Sequence, residues 1–391
     1  MTRTVTSQER WNRSLMPNYG TPKVVLSHGI GATVWDVDGK EYVDLLAGIA
    51  VNILGHAHPT LVEAVTKQMN TLGHTSNFAA HEPGISLAER LLDLTGRKGK
   101  VFFCNSGTEA NEAGIKLSRM TGRTELLALE GSFHGRTMGS LSITGQVKKQ
   151  EPFRPLLPDV QFVRSNDVQH LDELMSEKTS ALWFEPISGE GGVLPLSHEF
   201  LTAAQRICRE TGALLVADEV QTGIARTGAM FAYQHSGLEP DVLLLAKGLG
   251  GGFPIGACIA FGQAAEYLQP GTHGTTFGGN AVAAAAAHAV LDVIERDDLI
   301  SRAKQIGHMI AATLTPLAGV EQVRGEGAMQ GVVLTRDVAS DVEHRGRELG
   351  VILNSPLPNV IRLVPPLVIT DDELARGLDR LATAIEQASH D

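Results

Sequence analysis

The stretch DVLLLAKGLGGGFPIGA, residues 241–257, decides the fold class. Val242 to Leu245 are all aliphatic, and Lys247 follows just before the glycines at 248, 250, 251 and 252. A strand apolar on both faces belongs in a sheet covered on both sides, which is the setting of parallel α/β architecture. A lysine ending such a strand is held at the mouth of the sheet, and the glycines leave the backbone open to a bulky ligand. Desolvated there, its amine gives up its proton more readily and can add to an aldehyde. Alone, Lys247 reads as a solvated strand-end lysine; its partners along the chain change that reading.

Outward from this stretch the same texture repeats. VFFCN (101–105), ELLALE (125–130), ALWFEP (181–186), ALLVADE (213–219) and ACIAFG (257–262) are apolar strands separated by amphipathic helical segments. They predict a large domain over residues 49–290 with a mainly parallel sheet. Residues 22–47 read as β structure, with Asp38-Gly39 in TVWDVDGKEYVDL suited to a type I′ hairpin turn. Beyond 290 the pattern becomes α+β: a strand pair in VEQVRGEGAMQGVVL, a helix over 338–349, a strand in NVIRLVPPL and a final helix opened by a Thr370–Glu373 capping box. Residues 1–48 and 291–391 together are the expected small domain, the N-terminal β segment joining its sheet. The alanine run at 283–287 continues a helical pattern through Ile294.

Composition narrows the function. The 391 residues carry a formal charge of −11, with 43% hydrophobic and 20% charged residues, typical of a globular chain and unsuited to nucleic acid or anionic membrane. Cys104, Cys208 and Cys258 lie far apart and form no CxxC, so reduced core thiols and a cytoplasmic location are expected. No apolar run nears the ~20 residues of a membrane span, and MTRTVTSQERWNRSLMPNYG lacks a signal-peptide core.

Asp218 and Glu219 end the strand of LLVADEVQTG, 29 residues before Lys247. An acid there caps a helix, binds a metal, or keeps a pyridine nitrogen protonated so that the ring accepts electrons. Gln221 is placed to donate to a phenolic oxygen of such a ring. In NSGTEANEAGIKLSRM, Ser106 and Glu109 form a capping box, and Gly107 and Thr108 offer backbone N–H groups and a helix dipole to a phosphate. His56 and His58 have metal-like spacing without a completing cluster and read as a turn, so no metal site is expected. His134 reads as local packing, Glu185 as structural or catalytic, and Gly325-Glu-Gly327 as a β turn.

NSGTEANEA, SFHGRT, EPISGEGG, DEVQTG, LLLAKGLGGGFPIGA and HGTTFGGN, in this order, resemble the class III aminotransferases. AGIAVNILGHAHP and HTSNF are similar more narrowly to the acetylornithine aminotransferases. The resemblance implies the type I aspartate-aminotransferase fold, the cofactor pyridoxal 5'-phosphate (PLP) and a homodimer with shared active sites. By motif position, Lys247 anchors the aldehyde of PLP and Asp218 pairs with its ring nitrogen. Phe133 stacks on the ring, Gly107 and Thr108 bind phosphate, and Ser106, Val220 and Gln221 complete the cofactor contacts. Thr276 would reach the neighbouring subunit's phosphate, with Thr275 near the substrate. Arg136 would hold a substrate carboxylate and Arg362 the α-carboxylate of L-glutamate or 2-oxoglutarate, with Glu190 covering Arg362 when N2-acetyl-L-ornithine binds. Ornithine, 4-aminobutyrate and succinyldiaminopimelate are the alternative amines. A non-catalytic or NAD-binding α/β protein is the competing class, but no GxGxxG loop followed about 20 residues later by an acid is present.

Overall fold

A computed structural model describes residues 2–390; Met1 and Asp391, the outer ends of the expected small domain, lie outside the described residues. Seven strands form the central sheet: β1 (Gly99–Cys104), β2 (Glu125–Leu129), β3 (Val160–Val163), β4 (Thr179–Phe184), β5 (Leu214–Asp218), β6 (Val242–Leu245) and β7 (Gly256–Phe261). Their spatial order is β1-β7-β6-β5-β4-β2-β3. All neighbours are parallel except at β7, which runs against both β6 and β1. The sheet is therefore mainly parallel, as expected, with one reversed strand. Its reversal is invisible in the sequence because an apolar strand reads alike in both directions. Edge strand β3, half-exposed and only four residues long, is the one strand here with no sequence signal strong enough to single it out.

Helices cover both faces. The helix Gly107–Arg119 is capped by Ser106 and lays Ala110, Ala113, Gly114 and Leu117 on the sheet. Gly114 is needed there: a Cβ would stand 3.1 Å from the Trp183 ring on β4. On the other side, the alanine-rich helix Ala281–Arg296 buries most of its length. A Cβ on Gly251 would approach Val290 of that helix at 2.8 Å. Three of the four glycines after Lys247 thus serve packing: Gly248 meets Ile53, Gly250 meets Ile255 and Gly251 meets Val290, while Gly252 lines the cavity described below. Ligand approach explains only the last of them.

The flanking segments depart from expectation in two ways. The N-terminal strands Leu26–Ile30, Thr33–Asp36 and Glu41–Asp44 form their own sheet, completed by Val351–Ile352, rather than joining the sheet of Val320–Glu326, Met329–Leu334, Asn354–Leu357 and Val360–Leu363. The turn at Asp38-Gly39 is not type I′, since Gly39 alone takes a positive φ of 89°. Asp36 sets its shape by accepting from the N–H groups of Asp38 and Lys40, both at 2.9 Å. An N-terminal helix, Arg3–Ser14, is tied to the same turn through Asp38, which accepts from Arg3 N at 2.8 Å. Of Gly325-Glu-Gly327, the first two residues end the strand Val320–Glu326, paired with Gln330 and Met329, and only Gly327 lies in the turn; Thr370 and Glu373 cap the last helix reciprocally at 3.0 and 3.2 Å. No helix among the described residues is long and apolar enough to cross a membrane.

Candidate active site

The carboxyl ends of β5 and β6 open into a cavity of about 400 Å³. Asp218 pairs in register with Leu244, so Lys247 emerges three residues further along the adjacent strand, at the same rim. Backbone strain marks the lysine: its φ is +44°, a conformation that costs a non-glycine residue of order 1–3 kcal/mol. The half-buried amine makes no hydrogen bond or ion pair among the described residues. Burial, and next the Arg362 guanidinium, lower its pKa from 10.5 to about 8.

Alternation along β5 separates the two acids. Glu219 turns away and accepts from the N–H groups of Ala232 at 2.6 Å and Tyr233 at 2.7 Å; burial pushes it up to about 7. Asp218 lines the cavity. Its Oδ2 accepts from Asn111 Nδ2 at 2.9 Å and faces His134 Nδ1 at 2.7 Å, while Oδ1 accepts from Val220 N at 3.0 Å. Asn111 is fixed in turn by Trp183 Nε1, which donates to its Oδ1 at 3.0 Å. Sequence reasoning treated His134 as packing and passed over Asn111. A signal was present for Asn111: a polar residue four positions after Gly107, on the helix face that otherwise buries alanines.

The helix start supplies the anion cup. Ser106 Oγ accepts from Glu109 N at 3.3 Å, and the Glu109 carboxylate reaches back to Asn105 N, one residue earlier than a regular capping box. Among the described residues the N–H groups of Gly107 and Thr108 have no partner. A Cβ on Gly107 would stand 2.6 Å from Val220, and one on Gly135 only 2.2 Å from Thr108 Oγ1. The wall of the cup is built to the van der Waals limit. Phe133, whose N–H donates to Glu185 Oε2 at 3.1 Å, presents its ring to the cavity. Glu185 is buried, which pushes its carboxyl up to about 7.

On the far side, fully buried Arg362 projects from the strand Val360–Leu363. Its Nη1 donates to Glu190 Oε1 at 2.8 Å and Gln221 Oε1 at 3.3 Å, and Nη2 to Asn354 Oδ1 at 2.6 Å. Burial works to raise Glu190, but the charge and hydrogen bond of Arg362, helped by Lys149, hold the carboxyl below its ordinary value. Arg136 is exposed at the rim, its guanidinium 5.6 Å over the Phe133 ring. Thr275 Oγ1 accepts from Asn105 Nδ2 at 3.3 Å, beside the cup. Thr276 is not brought into this cavity; it is exposed and lines a separate groove with Asn77, Phe78 and Phe103. The two histidines read as a turn behave so: His56 Nε2 lies 2.9 Å from Asp44 Oδ2, and His58 precedes the helix Pro59–Thr71.

These groups fit PLP: two free amides at a helix start, a carboxylate with an acceptor position to spare, an aromatic wall and an unpaired lysine. The family model for aminotransferase class-III matches residues 15–385. The acetylornithine aminotransferase of Mycobacterium tuberculosis is 54% identical over 393 residues, covering 99% of this chain and 98% of that one. Among solved structures, an ornithine aminotransferase from Toxoplasma gondii with partial PLP occupancy superposes with a TM-score of 0.95 at 30% identity, covering 100% of this chain and 95% of that one. The N-acetylornithine aminotransferase of Stenotrophomonas maltophilia gives 0.83 at 36% identity, over 95% and 98%. With the match running through all three sheets described above and the whole cavity, the chain belongs to the class-III aminotransferases, a PLP-dependent family.

Proposed function

We propose that the enzyme moves the δ-amino group of N2-acetyl-L-ornithine to 2-oxoglutarate, giving N-acetyl-L-glutamate 5-semialdehyde and L-glutamate, a step of arginine biosynthesis. The observation that carries this reading is the Arg362–Glu190 pair at 2.8 Å, joined to the cavity wall through the contact of Arg362 Nη1 with Gln221. A site that must take a terminal amine and then an α-amino acid needs a carboxylate receptor that can be masked. Relatives of that name at 54% identity over nearly the whole chain favour acetylornithine among such amines.

Bound PLP supplies an electron-accepting ring to the carbon that gives up its proton. Lys247 Nζ would hold the cofactor and, as a free amine, would carry the proton to and from the reacting carbon. Asp218 would face the ring nitrogen, its carboxyl group fixed in place by Asn111, His134 and Val220 N. Gly107, Thr108 and Ser106 would hold the phosphate, Phe133 would stack on the ring, and Val220 and Gln221 would complete the cofactor contacts. Arg136 binds the carboxylate remote from the reacting amine, and Arg362 binds the α-carboxylate of glutamate after Glu190 has moved off.

The same reading includes a homodimer, in which Thr276 completes the partner's phosphate site with Thr275 near the substrate. It also includes a cytoplasmic location, and a large unit over 49–290 beside a small one made of 1–48 and 291–391. Ornithine, 4-aminobutyrate and succinyldiaminopimelate are the competing amines, because the Arg362–Glu190 pair would serve them equally. Steady-state kinetics of the holoenzyme with all four amines and 2-oxoglutarate tests the reading. Acetylornithine should give the highest kcat/KM; a higher value for any of the other three would replace it as the substrate.

A further inference from the structure

Lys149 belongs to none of the roles assigned above, yet it completes a row of charges with Glu190 and Arg362. It sits on the short helix Val147–Gln150, with Nζ 3.5 Å from Glu190 Oε2, while Arg362 holds Oε1 of the same carboxylate at 2.8 Å. One carboxylate thus bridges two cations. The ammonium also lies 5.0 Å over the Phe133 ring and donates to Gln146 Oε1. Burial lowers the pKa of Lys149, and Glu190 is the strongest influence acting against that loss of charge.

We infer that Lys149 is the positioning residue that receives Glu190 when it leaves Arg362, and thereby sets how readily the site admits a dicarboxylate. The inference rests on the proposed reading that Arg362 receives an α-carboxylate. Its physical basis is the environment of Glu190, whose side chain is only 25% exposed. A carboxylate so enclosed is costly to leave unpaired. With Lys149 already on Oε2, uncovering Arg362 breaks one of two contacts and needs only a pivot. Without Lys149, Arg362 is the sole cation among the described residues left in ion-pair contact with Glu190, and an arriving dicarboxylate must displace it with no second contact to compensate. The competing role is a direct contact between Lys149 and a substrate carboxylate, made through the third donor of an ammonium that already faces Glu190 and Gln146.

Glutarate, an unreactive dicarboxylate, separates the two roles when its binding to the holoenzyme is measured by calorimetry. Lys149→Met should weaken glutarate about tenfold, the equivalent of ~1.4 kcal/mol, and raise the KM for 2-oxoglutarate by a similar factor with a smaller change in kcat. Lys149→Arg should restore most of the affinity. In a Glu190→Ala background the same Lys149→Met change should alter glutarate binding by less than about twofold, because the carboxylate it positions is gone. An undiminished effect in that background would mean direct contact with the substrate and would overturn the inference, as would unchanged glutarate binding in Lys149→Met itself. Arg362→Ala serves as the control for the underlying reading: if it binds glutarate as tightly as the parent, the assignment of Arg362 fails, independently of Lys149.

Discussion

Arg362 Nη1 stands 2.8 Å from Glu190 Oε1, with one member fully buried and the other three-quarters buried. In the proposed reaction the pair acts as a mask on a carboxylate receptor, which each substrate biases by its own charge. A terminal amine would leave the mask in place, and glutamate would compete for the arginine. Glu190→Ala should therefore raise the rate with glutamate relative to acetylornithine, and Arg362→Ala should damage mainly the glutamate half-reaction, by tenfold or more. Single-turnover rates of each half-reaction check this. Equal losses in both halves for both variants would leave the mask without support.

The lowered pKa of Lys247 predicts how the protein takes up its cofactor. Only the free amine attacks an aldehyde. With a pKa near 8, Lys247 is protonated below that pH and free above it. The rate of covalent PLP uptake by cofactor-free enzyme, followed by its absorbance, should climb up to about pH 8 and level off beyond. A climb continuing unbroken to pH 10 would show that the lysine keeps its ordinary value. Lys247→Ala should fold but lose nearly all turnover.

Asp218 acts through a network rather than as a lone charge. Asn111, His134 and Val220 N each occupy a position on its two oxygens and leave one direction free toward the cavity. Asp218→Asn should cost at least tenfold in kcat, about 1.4 kcal/mol of barrier, because an amide holds a protonated ring nitrogen poorly. Asn111→Leu should cost stability as well, since it strips Trp183 Nε1 of its acceptor; a buried unpaired donor is worth about 1–3 kcal/mol. Thermal melts together with kcat distinguish the two: Asp218→Asn should lower mainly kcat, Asn111→Leu both.

The contrast between these residues shows how far the sequence carries the structure. Lys247 and Asp218 are legible because each ends an apolar strand, and strand ends of a parallel sheet converge on one rim. The cup at Gly107 is legible because helix capping is local. His134 and Asn111 are not, since their partner lies 84 and 107 residues away and only the packed fold joins them. Strand β7 could be found but not oriented. The glycines after Lys247 read as clearance for a ligand, whereas Gly248 and Gly251 are demanded by Ile53 and Val290, both distant in sequence, and Gly250 by nearby Ile255.

Thr276 leads to the last prediction. It is exposed and faces a groove containing Phe78, which is fully exposed, and it adjoins Phe277, which is 60% exposed. Clustered aromatic surface of this kind is characteristic of an interface. If a second copy covers it, Thr276 comes to the partner's cup, where Gly107 and Thr108 already offer their N–H groups. A ligand held by both chains stabilises the assembly by mass action, so removing PLP should lower the dimer's association constant. Sedimentation of holoenzyme and cofactor-free enzyme across protein concentration measures that shift. Phe78→Asp should give monomers that retain PLP poorly, and Thr276→Ala should retain a dimer that sheds PLP faster, with an unchanged melting temperature for the cofactor-free form. A crystal structure with PLP decides the geometry. Thr276 Oγ1 should lie about 2.5–3.0 Å from a phosphate oxygen in the partner's site. A Thr276 hydroxyl nearer to the phosphate of its own chain, or a protein that stays monomeric with PLP bound, would overturn the shared site.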